Sequence, residues 1–177
     1  MTSEINKMTG IWELTGYNKH TNFFQFCHAY INSAYTYAKQ IADESRKPSY
    51  PESCVIQFLA YHATELFLKG GILKSSPSGV PASHNIYELY DQYQSYYAHT
   101  EASFDMPFKV EYLGEDREKT KEKSIHNEPG HLLFRYPINR NGDDWKTLVG
   151  FTLYDYIKLI ENLKNNFIIL EGALTKL

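Results

Sequence analysis

The chain has 177 residues, a length that suits one domain with a core of ordinary size. Its formal net charge of −3 excludes a global basic signal for nucleic acid or an anionic membrane. No basic region followed by an apolar run opens the chain, and no apolar run reaches the roughly 20 residues of a membrane span, so we expect a soluble, cytoplasmic protein.

An N-terminal arm, residues 1–20, precedes two predicted helices. From about Thr21, apolar residues recur every three or four positions, which indicates one face of a helix that ends before Pro48. The residues on this predicted face are Phe23, Cys27, Tyr30, Ala34, Tyr37 or Ala38, and Ile41. The second helix has a strong start signal, because Ser49 and Glu52 match a capping box and Pro51 falls in the first turn. It is apolar on most sides, which is typical of a helix at the centre of a core.

Two further helices follow after a Pro/Gly/Ser-rich loop. Ser83 and Asn85 are both suitable caps for a third helix, and Thr152 with Asp155 gives a cap signature for a last one. The last helix carries a sustained apolar stripe, formed by Leu153, Ile157, Ile160, Leu163, Phe167, Leu170 and Leu174.

Residues 104–138 have a different character from the helices. The segments MPFKVEYL and HLLFRYPI alternate apolar and polar side chains, as edge strands do, and a charged stretch separates them. We predict a mainly all-α fold, an antiparallel bundle of four to five helices with a β-hairpin-like insertion, in which residues 21–177 form a single domain.

The second helix carries one polar stripe. His62, Glu65 and Lys69 project from the same face, because they are three and four residues apart. One interpretation is a structural ion pair between Glu65 and Lys69 at the edge of the bundle. The other is a polar site in a cleft, where a carboxylate, an amine and an imidazole contact a phosphate or a ribose. A metal site is not predicted, because bundle metal sites need carboxylates and histidines from several helices.

Two other places carry candidate binding residues. His84 and Asn85 open the third helix, either as a simple N-cap corner or with His84 facing the Glu65 and Lys69 stripe across the loop. Arg135 and Tyr136 end the second predicted strand, where an arginine between aromatic residues either binds phosphate or pairs with an acidic helix residue.

Two common catalytic motifs are missing from the sequence. There is no glycine-rich phosphate loop and no Gly-x-Ser-x-Gly elbow.

The third helix is rich in tyrosines. These side chains either stack bases or bury a partner surface, or they belong to the core and its rim; they are Tyr87, Tyr90, Tyr93, Tyr96 and Tyr97.

The run AYHATELFLKGGIL, the loop after it, SHNIYEL and the later Arg-Tyr-Pro element together resemble the HEPN domain family of small helical bundles. The resemblance spans roughly residues 20–175. It implies a homodimer associated with nucleotides, RNA or a nucleotidyltransferase-type partner, in a toxin–antitoxin or antiphage-defence setting. It also implies that Glu65, Lys69 and His84 are family-typical positions.

Active ribonucleases of the family carry an Arg, four to six further residues and then a His. No arginine of this chain has a histidine at that spacing, since Arg46 is followed first by His62 and Arg117 by His126. We therefore predict a binding and dimerisation module without a catalytic dyad or cofactor. The alternatives are a divergent metal-independent ribonuclease, with His84 or His62 as base and Arg135 or Lys69 contacting phosphate, and a purely structural oligomerisation module.

Overall fold

The structure is a computed structural model that describes residues 18–77, 79–106 and 152–177. Four helices make up 75% of these residues, and none of the described residues forms a strand. They are α1 (Lys19–Asp43), α2 (Tyr50–Ser75), α3 (Ile86–Tyr97) and α4 (Leu153–Leu174). The predicted all-α bundle is confirmed. None of the described helices combines the length and the apolar character needed to cross a membrane.

Helices α1 and α2 run antiparallel. Ring contacts join Phe24 to Phe67 and Tyr30 to His62, so a later residue of α1 contacts an earlier residue of α2. The predicted capping box is present at the start of α2: the Ser49 backbone N–H donates to Glu52 at 2.8 Å, and the Ser49 side chain accepts from the Glu52 backbone.

An arginine in the turn between α1 and α2 reinforces this cap. Both terminal nitrogens of Arg46 donate to the Glu52 carboxylate, at 2.9 and 2.8 Å, and its Nε donates to Glu44 at 2.6 Å. These hydrogen bonds from Arg46, followed by those from Ser49, hold the pKa of Glu52 well below its usual range. The turn is therefore fixed by charge-assisted hydrogen bonds as well as by Pro51.

A cluster of aromatic rings joins α2, α3 and α4. Phe67 of α2 stacks on Phe167 of α4 at a centroid distance of 4.6 Å, and it also contacts Tyr93 of α3 at 6.0 Å and Phe104 at 5.9 Å. Such pairs add to the free energy gained by burying the rings. The core therefore centres on the side of α2 that carries Phe67.

The two adjacent glycines of α2 explain how closely the neighbouring helices approach. A Cβ on Gly70 would lie 2.7 Å from the Phe24 ring, and one on Gly71 would lie 2.4 Å from the Tyr93 ring. The Tyr97 hydroxyl also donates to the Gly71 carbonyl at 3.0 Å. The glycines thus admit α1 on one side of α2 and α3 on another.

The predicted helices differ from the observed ones in detail. Helix α1 begins at Lys19 rather than near Thr21 and ends at Asp43, with Ser45 at a positive φ of 52°. Thr152 occupies the N-cap position of α4 but makes no side-chain cap hydrogen bond, so the predicted cap is wrong in that respect. Most of the arm and of the predicted hairpin lie outside the described residues, and residues 104–106 form no strand.

Candidate functional site

Glu65 is the centre of a polar cluster inside the bundle. Its side chain is 4% exposed, and Oε1 accepts from Lys69 Nζ at 2.9 Å and from His84 Nδ1 at 2.9 Å. Nδ1 of His62 lies 3.5 Å from the other oxygen, Oε2. Because Glu65 and Lys69 lie four residues apart on α2, helix geometry places the amine over the carboxylate. The predicted ion pair is therefore present, and it is buried.

The charge of Glu65 is strongly stabilised in this setting. Burial alone would raise the pKa of Glu65, but hydrogen bonds from His62, Lys69 and His84 and the charge of Lys69 outweigh it and lower the pKa to about 2. An ionised carboxylate only accepts hydrogen bonds, so the Nδ1 of His84 is the protonated nitrogen facing it. The carboxylate is consequently a fixed anion at neutral pH.

His84 reaches this carboxylate from the loop that precedes α3. Asn85 is the N-cap, and its side chain accepts from the Tyr87 backbone N–H at 3.0 Å. The Ser83 hydroxyl instead donates to the Glu88 carboxylate at 2.6 Å and accepts from the Asn85 backbone N–H. With the loop held on both sides of it, His84 turns toward α2, which confirms the interpretation in which His84 faces the stripe.

His62 lies between two aromatic rings. The Phe58 ring stacks parallel to the imidazole, with an interplanar angle of 6°, and the Tyr30 ring meets it edge-on at a centroid distance of 4.7 Å. One turn before Tyr30 on α1, Phe26 is 45% exposed. His62 therefore sits in an aromatic surface shared by α1 and α2, at the border of the buried cluster.

The structure brings together four of the seven predicted site residues, His62, Glu65, Lys69 and His84. Asn85 lies next to them in the role of a helix cap. Arg135 and Tyr136 lie outside the described residues.

Sequence reasoning missed two features of this region. The first is the position of Tyr30: the sequence pattern places it on the core face of α1, whereas its ring packs against His62. The four-residue spacing between Phe26 and Tyr30, which puts both rings on one face of the helix, was the available signal. The other is an ion pair between His28 Nε2 of α1 and Glu171 Oε2 of α4, at 2.7 Å. No local spacing reveals a pair formed between helices so far apart in the chain.

The tyrosines of α3 divide by position. Tyr93 and Tyr97 are buried, and the Tyr93 hydroxyl donates to the Ala102 carbonyl at 2.8 Å. Burial raises the pKa of Tyr97, although a hydrogen bond with Ser75 acts in the opposite direction. Tyr96 is exposed. Tyr93 and Tyr97 therefore belong to the core and do not form a surface for stacking bases.

The cluster has limited chemical capacity. Lys69 is 7% exposed and already faces an anion, so it offers little charge to a phosphate. The most exposed side chain of the cluster is that of His84, at 60%, while that of His62 is 27% exposed. Within the three described ranges, no group of three His, Cys, Asp or Glu side chains is arranged to hold a metal ion.

Comparison of the chain with family models, curated proteins and solved structures finds no significant match.

Proposed function

We propose that this protein is a HEPN-like helical module that binds and dimerises without catalysing a reaction. The observation that carries the proposal is the state of Glu65, a buried carboxylate whose oxygens are occupied by Lys69, His84 and His62. A carboxylate with a pKa of about 2 is a poor proton acceptor near neutral pH, and its ion pair neutralises the amine beside it. Glu65, Lys69 and His84, three of the residues predicted to contact a ligand, are thus used to hold α2 and the loop before α3 together.

Among the predicted ligands, the surface around His62 favours a protein partner over RNA or a nucleotide. Tyr30, Phe58 and His62 are partly buried rings, and Phe26 beside them is exposed. Lys69, the cation of this cluster, is buried against Glu65, and phosphate recognition depends on accessible Lys or Arg side chains. Aromatic rings, in contrast, are enriched in protein interfaces. The proposal includes a toxin–antitoxin or defence role, which the HEPN resemblance implies, and the cytoplasmic setting expected from the sequence.

The test is an RNA cleavage assay combined with ligand titration. Purified protein, His84→Ala and His99→Ala are incubated with mixed RNA and metal chelator, and melting temperatures are recorded with and without nucleotides. His99 is an exposed histidine near the end of α3 and serves as the matched control. We expect no cleavage that depends on His84. Cleavage lost in His84→Ala and kept in His99→Ala would overturn the proposal.

A specific observation favours one second candidate, a divergent ribonuclease. A buried carboxylate bonded to Nδ1 of an exposed histidine resembles the way an acid orients the catalytic imidazole in hydrolases. In that candidate His84 would act as general base and Glu65 would be a positioning residue.

This second candidate predicts a distinct kinetic pattern. His84→Ala would abolish RNA cleavage, while Glu65→Gln would lower kcat with little change in KM, because orientation of the imidazole would be lost rather than substrate binding. A pH–rate profile that falls only on the acidic side, where a general base becomes protonated, would support His84 as the base. Cleavage unaffected by both substitutions would point to a contaminating nuclease and eliminate the candidate.

A further inference from the structure

The first turn of α1 differs in charge from those of the other three described helices. Acidic residues lie in the first turns of α2, α3 and α4, namely Glu52, Glu88 and Asp155, whereas the first turn of α1 has none. It contains Lys19 and His20 instead. Because its N–H groups give a helix N-terminus a partial positive charge, basic side chains there destabilise the first turn.

This end of α1 also has no side-chain cap. Asn18 occupies the N-cap position, but its side chain makes no cap hydrogen bond. In α2 and α3 the side chains of Ser49 and Asn85 each accept from a backbone N–H. The first turn of α1 therefore lacks both the cap that α2 and α3 have and the acidic residue that α4 has.

The last turn of α2 adds a further basic group at this corner. Helices α1 and α2 run antiparallel, and a Cβ on Gly70 would lie 2.7 Å from the Phe24 ring. His20 lies one turn before Phe24, and Lys74 lies one turn after Gly70, so the packing brings His20 and Lys74 together. Lys74 is the charged group that acts on His20, and among the described residues no carboxylate pairs with either of them.

The His20 imidazole is partly buried in this corner. It meets the Phe24 ring edge-on at a centroid distance of 6.2 Å. Burial, followed by the charge of Lys74, lowers the pKa of His20 from its ordinary value of 6.5. The wound first turn therefore favours the neutral imidazole. When the turn opens, the imidazole moves into water and away from Lys74, where it binds a proton more readily.

We propose that the first turn of α1 is a pH-sensitive end of the helix, wound while His20 is neutral and opened when His20 takes up a proton beside Lys74. Acid acts in this direction because both Lys74 and the helix dipole repel the protonated imidazole. Opening stops at Phe24, which is 3% exposed and packs on the Phe67 ring at 5.4 Å. The device is thus confined to residues 19–23, where it sets how the chain enters α1.

The test combines NMR titration of the imidazole with amide hydrogen exchange in the full chain. His20 should titrate below pH 6.5. Protection of the backbone amides of residues 21–24, corrected for the intrinsic effect of pH on exchange, should fall about two- to fivefold between pH 7.5 and pH 5. Amides in the middle of α1, residues 30–34, should keep their protection. First-turn protection that does not change over this range would overturn the proposal.

Three substitutions identify the groups responsible. His20→Gln should abolish the pH dependence of first-turn protection. Lys74→Glu replaces repulsion with attraction, so it should raise the midpoint of the His20 titration and remove the loss of protection in acid. Lys19→Glu supplies the acidic residue that the first turns of the other described helices have, and it should keep the turn wound at pH 5.

The matched control is His99→Gln, which changes an exposed histidine near the end of α3. This variant should retain the wild-type pH dependence in the first turn of α1. If the loss in acid persists in His20→Gln, another group causes it. If the His20 midpoint is unchanged in Lys74→Glu, the lysine does not act on the imidazole. Either result overturns the proposal.

Discussion

At the scale of single residues, Glu65 has the greatest consequence. Removing one partner of a buried ion pair leaves the other charge without compensation, which costs far more than losing an exposed pair. Glu65→Gln keeps the shape of the side chain but leaves the Lys69 amine buried beside a neutral amide. We expect the free energy of unfolding to fall by about 3 kcal/mol, measured by urea denaturation at neutral pH.

The control for this variant is Lys39→Gln. Lys39 pairs with Asp43 at 3.5 Å on the exposed side of α1, and pairs of that kind contribute little. We expect its denaturation midpoint to stay close to that of the wild type. Equal losses of unfolding free energy in the two variants would show that the Glu65 cluster stabilises the fold no more than an exposed ion pair does.

The lowered pKa of Glu65 predicts a loss of stability in acid. Because the folded-state pKa of about 2 lies below the ordinary value of 4.5, the ionised carboxylate stabilises the fold. That contribution is complete above about pH 4.5 and is lost as the pH falls through about 2, which amounts to about 3 kcal/mol in total.

The measurement is the free energy of unfolding between pH 5 and pH 2 for wild type and Glu65→Gln, taken as a difference so that other carboxylates cancel. We expect the difference to shrink steadily as the pH falls across this window. A difference that stays constant with pH would contradict the assigned pKa.

At the scale of the helix, the adjacent glycines of α2 predict opposite results for the same substitution at two places. Gly71→Ala improves helix propensity, yet its Cβ would lie 2.4 Å from the Tyr93 ring. That ring is buried and held by the hydrogen bond to the Ala102 carbonyl, so it has little room to move. We expect a net loss of about 2 kcal/mol from overpacking.

Gly172→Ala is the matched substitution in α4, where the added Cβ would meet no atom of the described residues within 4 Å. We expect it to raise the stability of the monomer by up to about 1 kcal/mol. Thermal unfolding of both variants at low protein concentration gives the comparison, and a stabilised Gly71→Ala would mean that Tyr93 adapts easily.

Much of the helix arrangement was predictable from sequence, because its signals are local. Ser49, Glu52 and Pro51 marked the start of α2, and the spacing of Glu65 and Lys69 placed their pair on one face. The buried face of α1 was only partly predicted: Phe24 and Ile31 are buried, whereas the sequence favoured Phe23 and Tyr30. The sequence Phe-Phe-Gln-Phe at residues 23–26 fits several helical phases, and packing against α2 and α4 decides among them.

The candidate site was less predictable, because its geometry depends on contacts across the fold. Sequence alone left open whether His84 caps α3 or faces Glu65, since both interpretations fit a histidine before Asn85. The choice depends on the path of the loop, which Ser83 and Asn85 fix through their hydrogen bonds. The stacking of Phe58 on His62 and the packing of Tyr30 against it likewise follow from the pairing of α1 with α2.

At the scale of the whole molecule, Phe67 joins all four helices. Its ring contacts Phe24 of α1, Tyr93 of α3 and Phe167 of α4, and it is fully buried. Truncating a buried aromatic side chain typically costs about 3–5 kcal/mol. We expect Phe67→Ala to lower the free energy of unfolding by about 4 kcal/mol.

Because the ring is shared, this loss should appear in every helix at once. Denaturation followed by circular dichroism and by tyrosine fluorescence should give coincident transitions, both shifted to lower urea. Ile169→Ala, an exposed apolar truncation on α4, is the control and should leave the midpoint nearly unchanged. Separate transitions for the two probes would show that the helices do not unfold together.

Because three side chains share the Glu65 carboxylate, the cluster favours one alignment of the segment before α3 along α2. Oε1 accepts from both Lys69 and His84, and Oε2 faces His62. The imidazole of His84 therefore has to lie at one defined position along α2. Sliding the segment before α3 by a single residue would bring Ser83 or Asn85 opposite the anion and withdraw the imidazole. A misaligned docking would then remove one hydrogen bond from the buried carboxylate, and we expect that loss to discriminate against slipped forms that a purely apolar contact would tolerate.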